Sequence, residues 1–386
     1  AARTGREVLL TDSAIFPRDK TCGDGLTPRA IAELEALDLG EWVRAHTVNR
    51  GLRMGGFGRE VRLPWPGGSF PTYGSAVPRT ELDDKLRETA VKSGARMLDG
   101  TRVTDVRRDG ERVTGVTVRA EAGAHDIDCE YLIVADGVRS PVGKLLGRVW
   151  HRRYAYGVAA RAYIRSGRSD DEWITSHMEL RDGDGTLVPG YGWVFPLGNG
   201  EVNIGVGSLA TEARPSHVSL KPLLRHYVSL RRDEWEFEGQ TRAVTSALLP
   251  MGGAVSGIAG PNWALVGDAA GCVNPLNGEG IDYGLEGGHL LSGLLGEPDL
   301  STLWPDLLRA RYGRTFSVAR RIAALATHPR MVPTGGPAVM RSKLLQRTAV
   351  RVMGNLVDDS DADLTARLWR TAGRTSMRLD DLAPFT

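Results

Sequence analysis

The sequence predicts an α/β fold in three parts: a dinucleotide-binding type of domain, an antiparallel-sheet domain inserted into it, and a helical C-terminal region. Three observations predict it. First, residues 263–266 read as a short apolar strand, followed at once by Gly267 and Asp268, then by a loop with Pro275, Gly278 and Gly280, then by a helical stretch over 281–295. Strand, Gly-Asp, Gly-rich loop and helix together hold a cofactor at a helix start, where free N–H groups face negative charge. Second, short strands at close spacing fill residues 156–208, with turns at Asp182-Gly183-Asp184-Gly185 and Gly198-Asn199-Gly200, the pattern of an antiparallel sheet. Third, beyond Trp304 the apolar residues Leu307, Leu308, Tyr312, Phe316 and Ile322 recur at helical spacing. The expected boundaries are 1–150 and 251–300 for the cofactor domain, 151–250 for the sheet domain, and 301–386 for the helical region.

Composition narrows the function classes. The 386 residues suffice for a two-domain enzyme, and 41% hydrophobic with 25% charged residues is ordinary for a globular protein. A net charge of +2 from 49 basic and 47 acidic residues argues against nucleic acid as a partner. Cys22, Cys129 and Cys272 have no metal-ligand spacing, and their odd number suits a reducing compartment, so no metal site and a cytoplasmic location are expected. No apolar run approaches the ~18–20 residues of a membrane span, and residues 1–6 do not start a signal peptide.

In chain order, residues 7–11 read as a buried strand ending at Asp12, placed as the acid that binds ribose hydroxyls at the end of a second dinucleotide-fold strand. Residues 1–5 read as the last turn of the helix before it, with Gly5 as its stop. A first strand and a Gly-x-Gly-x-x-Gly loop, roughly 20–30 residues by the size of a βαβ unit, are therefore expected upstream, and the chain as it stands is expected to bind its cofactor weakly or not at all. Cys22-Gly23-Asp24-Gly25 follows, with glycines that allow close approach of backbone to a ligand. Thr27 and Pro28 suit the cap and first residue of a helix over 29–37. A second helix, with Arg79 just before it, runs to about residue 93, with Leu82, Leu86 and Ala90 on its core side. Residues 101–106, which include Val103, and 113–118 alternate as hairpin strands. Residues 131–135 form a buried strand ending at Asp136, which reads equally as a cofactor-side acid and as a plain turn with an Asx bond. In the sheet domain, Tyr191, Trp193 and Phe195 fall at period two and so share one face, either an aromatic wall for a long apolar substrate or a core face. Residues 341–354 are amphipathic and basic. They suit a bilayer surface or, the slightly favoured reading, packing on the body with the arginines in water.

These segments together resemble the geranylgeranyl reductase family of FAD-dependent oxidoreductases. The resemblance rests on Cys22-Gly23-Asp24-Gly25, on Asp136-Gly137 with Ser140, on Tyr191-x-Trp193-x-Phe195-Pro196, and on Gly267-Asp268 with Asn274-Pro275 and Gly278-Glu279-Gly280-Ile281. Asp24 stands where Glu is commoner in the family, and Pro189 lies two rather than three places before the Tyr. The resemblance implies a Rossmann-like FAD domain of the p-hydroxybenzoate-hydroxylase type and FAD as cofactor. It implies that Asp12, Cys22, Gly23, Asp24, Gly25, Arg79, Val103, Asp136, Asp268, Gly280 and Ile281 lie at the FAD, and that Tyr191, Trp193 and Phe195 line a prenyl site. Cys22 and a bound water are the candidate proton donors. Within the family, the chain is most similar to the actinobacterial branch that saturates one isoprene unit in the tail of menaquinone. Menaquinone or another prenyl lipid such as a geranylgeranyl lipid is thus the expected partner, with the inner face of the membrane as a place of contact. No second dinucleotide fingerprint is present, so the electron donor is unassigned. The rival expectations are a flavin monooxygenase or halogenase, and a non-catalytic flavoprotein remnant that binds a prenyl lipid.

Overall fold

Period-two alternation in the middle of the chain sorts side chains onto two faces of one large sheet. The computed structural model describes residues 1–357 and 361–386. Its largest sheet has seven strands, in the spatial order Phe237–Leu249, Tyr156–Ser166, Glu201–Ala210, Gly190–Pro196, Trp173–His177, Gly51–Gly56, Arg59–Pro64. All neighbours pair antiparallel except Trp173–His177 with Gly51–Gly56, which pair parallel. Ala160, Ala162, Ile164, Val194, Val202, Ile204 and Val206 point to one face. There they form a core with Leu223, Leu224, Tyr227 and Val228 of helix Leu220–Arg231 and with Trp235. The residues between them point to the other face, where the site lies.

The sheet takes in residues 51–64 as well as 156–249, so it crosses the boundary drawn at residue 150. The reason is the parallel pairing of Trp173↔Gly51 through His177↔Gly55, a long-range contact with no local signal.

The cofactor side is built from smaller pieces. Leu9–Thr11 pairs parallel with Arg96–Leu98, and Leu132–Val134 pairs parallel with Trp263–Leu265. Arg102–Asp109 and Arg112–Ala120 form the expected hairpin, joined by a third strand, Gly123–Asp128, whose polar sequence gave no strand signal. Helices Pro28–Ala36, Arg79–Lys92 and Ile281–Ser292 pack around them. Helix Pro28–Ala36 is pinned to Ile281–Ser292 by an ion cluster. Both oxygens of Glu286 accept from Arg29 Nη1 at 3.0 Å, and Arg311 also reaches Glu286 Oε1 at 2.7 Å. Burial opposes the Glu286 charge, but the two guanidiniums outweigh it and hold the carboxyl below its ordinary range.

The C-terminal region is helical, with helices Leu300–Leu308, Arg314–Ala326, Met331–Arg341, Lys343–Met353 and Leu364–Met377. Tyr283, Tyr312, Phe316 and Phe385 form a buried ring cluster, with centroids 5.0 Å apart for Tyr283–Tyr312 and for Tyr283–Phe316. Phe385 thereby ties the end of the chain to the cofactor side. No helix among the described residues is long and apolar enough to cross a membrane.

Candidate active site

Between the open face of the large sheet, the loop 274–280 and the C-terminal helices lies a cavity of about 790 Å³. Tyr191, Trp193 and Phe195 stand side by side on its sheet wall, with ring centroids 5.9 and 6.3 Å apart. Their cross-strand partners are Gly207, Gly205 and Asn203. Directly opposed residues in a sheet share a face, so the large rings face small residues across the ladder. A Cβ on Gly205 would stand 2.1 Å from Trp193 Cζ2. The indole therefore lies flat over a strand position that has no side chain.

Asn203 then locks the wall to the segment Cys22-Gly23-Asp24-Gly25. Trp193 Nε1 donates to Asn203 Oδ1 at 3.0 Å. Asn203 Nδ2 donates to Asp24 Oδ2 at 2.8 Å and to the Cys22 carbonyl at 2.9 Å. Tyr163 Oη donates to the same Asp24 oxygen at 2.7 Å. Asp24 is fully buried, and its other oxygen, Oδ1, has no hydrogen-bond partner. Burial pushes its carboxyl up to about 6, against the two hydrogen bonds and the charges of Arg161 and Arg79. Burial also raises the Cys22 thiol above its ordinary range, with Arg79 opposing, so Cys22 is a protonated thiol and a weak acid at neutral pH.

The glycines of this segment, expected to allow close approach of a ligand, both line the cavity. The structure also uses them to admit the aromatic wall: a Cβ on Gly25 would meet Phe195 Cε2 at 2.9 Å, and one on Gly23 would meet the same atom at 3.2 Å. Asp24 between them has φ 63°, a left-handed position that Asp and Asn tolerate better than most residues.

The cavity is lined further by Lys20, Arg79, Gly267, Asp268 and Gly278-Glu279-Gly280-Ile281. Helix Ile281–Ser292 begins after Gly280 with no side-chain cap from that residue; Tyr283 N donates to Asp282 Oδ1 at 2.8 Å, and the N–H groups of Ile281 and Asp282 face the Glu279 carboxyl, so negative charge is favoured at this end. A Cβ on Gly280 would lie 3.4 Å from Asp268 Oδ1, inside the cradle between loop and acid. Asp268 Oδ2 receives Lys20 Nζ at 3.3 Å. A helix start, a hydroxyl-accepting carboxylate and two cations are the donor set that a flavin with its ribityl and phosphate groups requires, so the residues fit FAD. Glu279 Oε1 is enclosed there without a partner, and burial together with Asp282 holds this carboxyl well above its ordinary range.

Eleven of the fourteen residues singled out in the sequence line the cavity; Asp12, Val103 and Asp136 do not. Asp136 is used locally: Ser140 Oγ donates to its Oδ1 at 2.5 Å and Val142 N to its Oδ2 at 2.8 Å. Val103 packs in the core of the cofactor side. Asp12 reaches the cavity only through a charge chain. Arg18 bonds Asp12 at 2.9 Å and Asp83 at 2.7 Å, and Asp83 in turn holds Arg79 at 2.7 Å. Asn203, Tyr163 and Gly205 were missed. Gly205 and Gly207, alternating opposite Tyr191, Trp193 and Phe195, carry a period-two signal; Asn203 and Tyr163 carry none of their own.

The model of the FAD binding domain family matches residues 2–196. The chain belongs to this family. It is a flavoprotein oxidoreductase with FAD as its cofactor. A menaquinone reductase of Mycobacterium tuberculosis is 60% identical over 387 residues, covering 100% of this chain and 94% of the relative. Digeranylgeranylglycerophospholipid reductase 2 of Methanopyrus kandleri is 28% identical over 84% of this chain and 82% of its own. A geranylgeranyl bacteriochlorophyll reductase-like protein of Thermoplasma acidophilum superposes with TM-score 0.75 at 18% identity, covering 96% and 94% of the two chains. A flavin-dependent brominase superposes with TM-score 0.72, also at 18% identity, covering 98% and 95%. At such identity these two structures establish the FAD-binding fold alone.

The aromatic wall and the loop 274–280 are joined at Tyr191. The Tyr191 hydroxyl donates to the Asn277 carbonyl, and burial, Glu279 and Cys22 keep it a neutral donor. Tyr191→Phe removes a hydrogen bond worth about 1 kcal/mol. It is expected to leave folding intact and to lower turnover about fivefold; unchanged turnover would show that the hydroxyl does not position the FAD loop.

Proposed function

We propose that this enzyme reduces one isoprene double bond in the prenyl tail of menaquinone, working at the membrane periphery where such lipids reside. The observation that carries the reading is the aromatic wall of Tyr191, Trp193 and Phe195, set in an apolar cavity that also holds the residues that fit FAD. The full-length likeness to a menaquinone reductase supports this substrate over a geranylgeranyl lipid.

When bound and reduced, FAD supplies the hydride. Lys20, Arg79, Asp268 and the backbone at Gly280 and Ile281 would hold it. An isolated alkene has no carbonyl to polarise it, so one carbon must receive a proton as the other receives hydride. The wall and the apolar residues Leu52, Met54 and Ile174 exclude water and align the chain of isoprene units. We assign the proton to Asp24. Its carboxyl titrates near 6, it lines the cavity, its Oδ1 is unpartnered, and it is hydrogen-bonded through Asn203 to the substrate wall. A general acid works best with a pKa near the working pH. Cys22, with its raised thiol, is the weaker candidate, and Glu279 belongs to the FAD loop.

The purified enzyme with FAD and a chemical reductant tests the reading against its nearest alternative. Menaquinone is expected to gain two hydrogens, and a geranylgeranyl phospholipid to react far more slowly. The reverse preference would move the substrate to the geranylgeranyl lipids. An oxygenated or halogenated product, formed with NADPH and oxygen, would replace the reductase reading altogether.

A further inference from the structure

We propose that the face built from the end of helix Arg314–Ala326, the start of helix Met331–Arg341 and the outer side of helix Lys343–Met353 docks on an anionic lipid bilayer. The proposal rests on the reading of the substrate as a membrane-resident prenyl lipid, and it says where and how the enzyme meets that lipid.

The cavity opens on this face. Ile322, Leu325 and Met331 line the cavity and are at the same time 41%, 56% and 42% exposed. An apolar side chain that does both marks a mouth rather than a wall. Beside it, helix Lys343–Met353 buries Gln346, Val350 and Val352 and turns Leu344 and Leu345 outward, at 71% and 44% exposure. A surface helix ordinarily shows solvent a polar stripe. This one shows leucines flanked by Lys343 and Arg347, the composition of a helix that lies in a lipid interface.

Charge identifies the partner. Residues 307–357 contain nine Arg and one Lys and no Asp or Glu. Arg309, Arg311, Arg320, Arg321 and Arg351 are ion-paired with acids from elsewhere in the chain. Arg330, Arg341, Lys343 and Arg347 are exposed and, among the described residues, form no ion pair. Four uncompensated cations around exposed apolar groups match anionic headgroups over acyl chains. They do not match a neutral surface, and no acid on the segment repels the headgroups. A prenyl tail can then pass from bilayer to cavity without crossing water.

Co-sedimentation of the holoenzyme with menaquinone-free vesicles tests this. Vesicles of phosphatidylcholine and phosphatidylglycerol in equal parts are expected to bind it, vesicles of phosphatidylcholine alone to bind it weakly, and salt to release it. Each basic residue at an anionic surface is worth about fivefold in partitioning. The variant Arg341→Gln/Lys343→Gln/Arg347→Gln is thus expected to bind on the order of 100-fold more weakly, while reducing detergent-dispersed substrate at the normal rate. Leu344→Glu/Leu345→Glu, at two exposed positions that do not threaten folding, is expected to weaken binding as well. Equal binding to both vesicle types, or wild-type binding by the triple variant, would overturn the proposal. Normal vesicle binding by an enzyme that leaves menaquinone unreduced would uphold the docking face and overturn the substrate reading instead.

Discussion

Gly205→Ala is expected to reduce turnover on the order of 100-fold, although the added methyl group touches neither FAD loop nor helix start. The new Cβ would stand 2.1 Å from Trp193 Cζ2 and 2.5 Å from both Cε2 and Cη2. No real Cβ sits that close, so the indole must leave. Its own strand, paired on both sides, holds the backbone in register, which leaves rotation of the ring as the only relief. Rotation breaks the bond from Nε1 to Asn203 and opens the wall beside Phe195. Overpacking of this kind costs about 1–3 kcal/mol of stability, and a displacement of about 1 Å at a reacting centre can cost 10²-fold in rate. The double variant Trp193→Ala/Gly205→Ala separates the causes. It is expected to melt at the same temperature as Trp193→Ala alone, because the clash is gone, and to remain as inactive. A Gly205→Ala enzyme with normal turnover would mean that the wall does not form the substrate site.

Asp24→Asn is expected to raise stability and lower turnover together. The carboxyl has a folded-state pKa of about 6 against an ordinary 3.8, raised first by burial. A raised acid favours the folded state while it is protonated and weighs against it once charged. The cost is therefore absent below about pH 4, builds as pH rises to about 6, and is constant above, where it amounts to roughly 3 kcal/mol. Asn keeps an acceptor for Tyr163 and Asn203, tolerates φ 63°, and never charges. The variant is expected to melt higher than the wild type at pH 8 by an amount worth roughly 1–3 kcal/mol, and at the same temperature at pH 4. Its turnover is expected to fall on the order of 100-fold, the usual contribution of a positioned acid. The wild-type rate should decline as pH rises above about 6, and the residual rate of the variant should not follow that decline. Full turnover in the variant, or a decline it shares with the wild type, would place the proton elsewhere.

Local pattern made parts of this architecture legible, and long-range pairing hid others. The helix at 28–36 announced itself by Thr27 and Pro28, the hairpin over 102–120 by alternation, and the helix after Gly280 by the glycines that end the loop. Tyr191, Trp193 and Phe195 were placed on one face by period two alone, and they do lie side by side. The parallel pairing of residues 51–55 with 173–177 could not be read, since neither strand carries a mark of its partner. Asn203 was hidden for the opposite reason. A single polar residue in an apolar strand looks like noise until its partners, Trp193, Asp24 and the Cys22 carbonyl, are seen to converge on it from two other segments. Gly23 and Gly25 were recognised as close-approach positions, and Phe195 is one partner that approaches them. Asp136 is bonded within its own turn and helix start, and Asp12 is linked to Arg79 through Arg18 and Asp83, contacts that only the folded arrangement reveals.

Reduction of a prenyl double bond in menaquinone changes the mass of the quinone, which can be read on extracts of cells lacking the gene. Without the gene, the quinone is expected to be lighter by the two hydrogens of one saturated isoprene unit, and a restored copy should return them, while a copy carrying Gly205→Ala should not. Menaquinone of unchanged mass in the deletion strain would rule out this reaction and turn the same cavity toward another prenyl lipid.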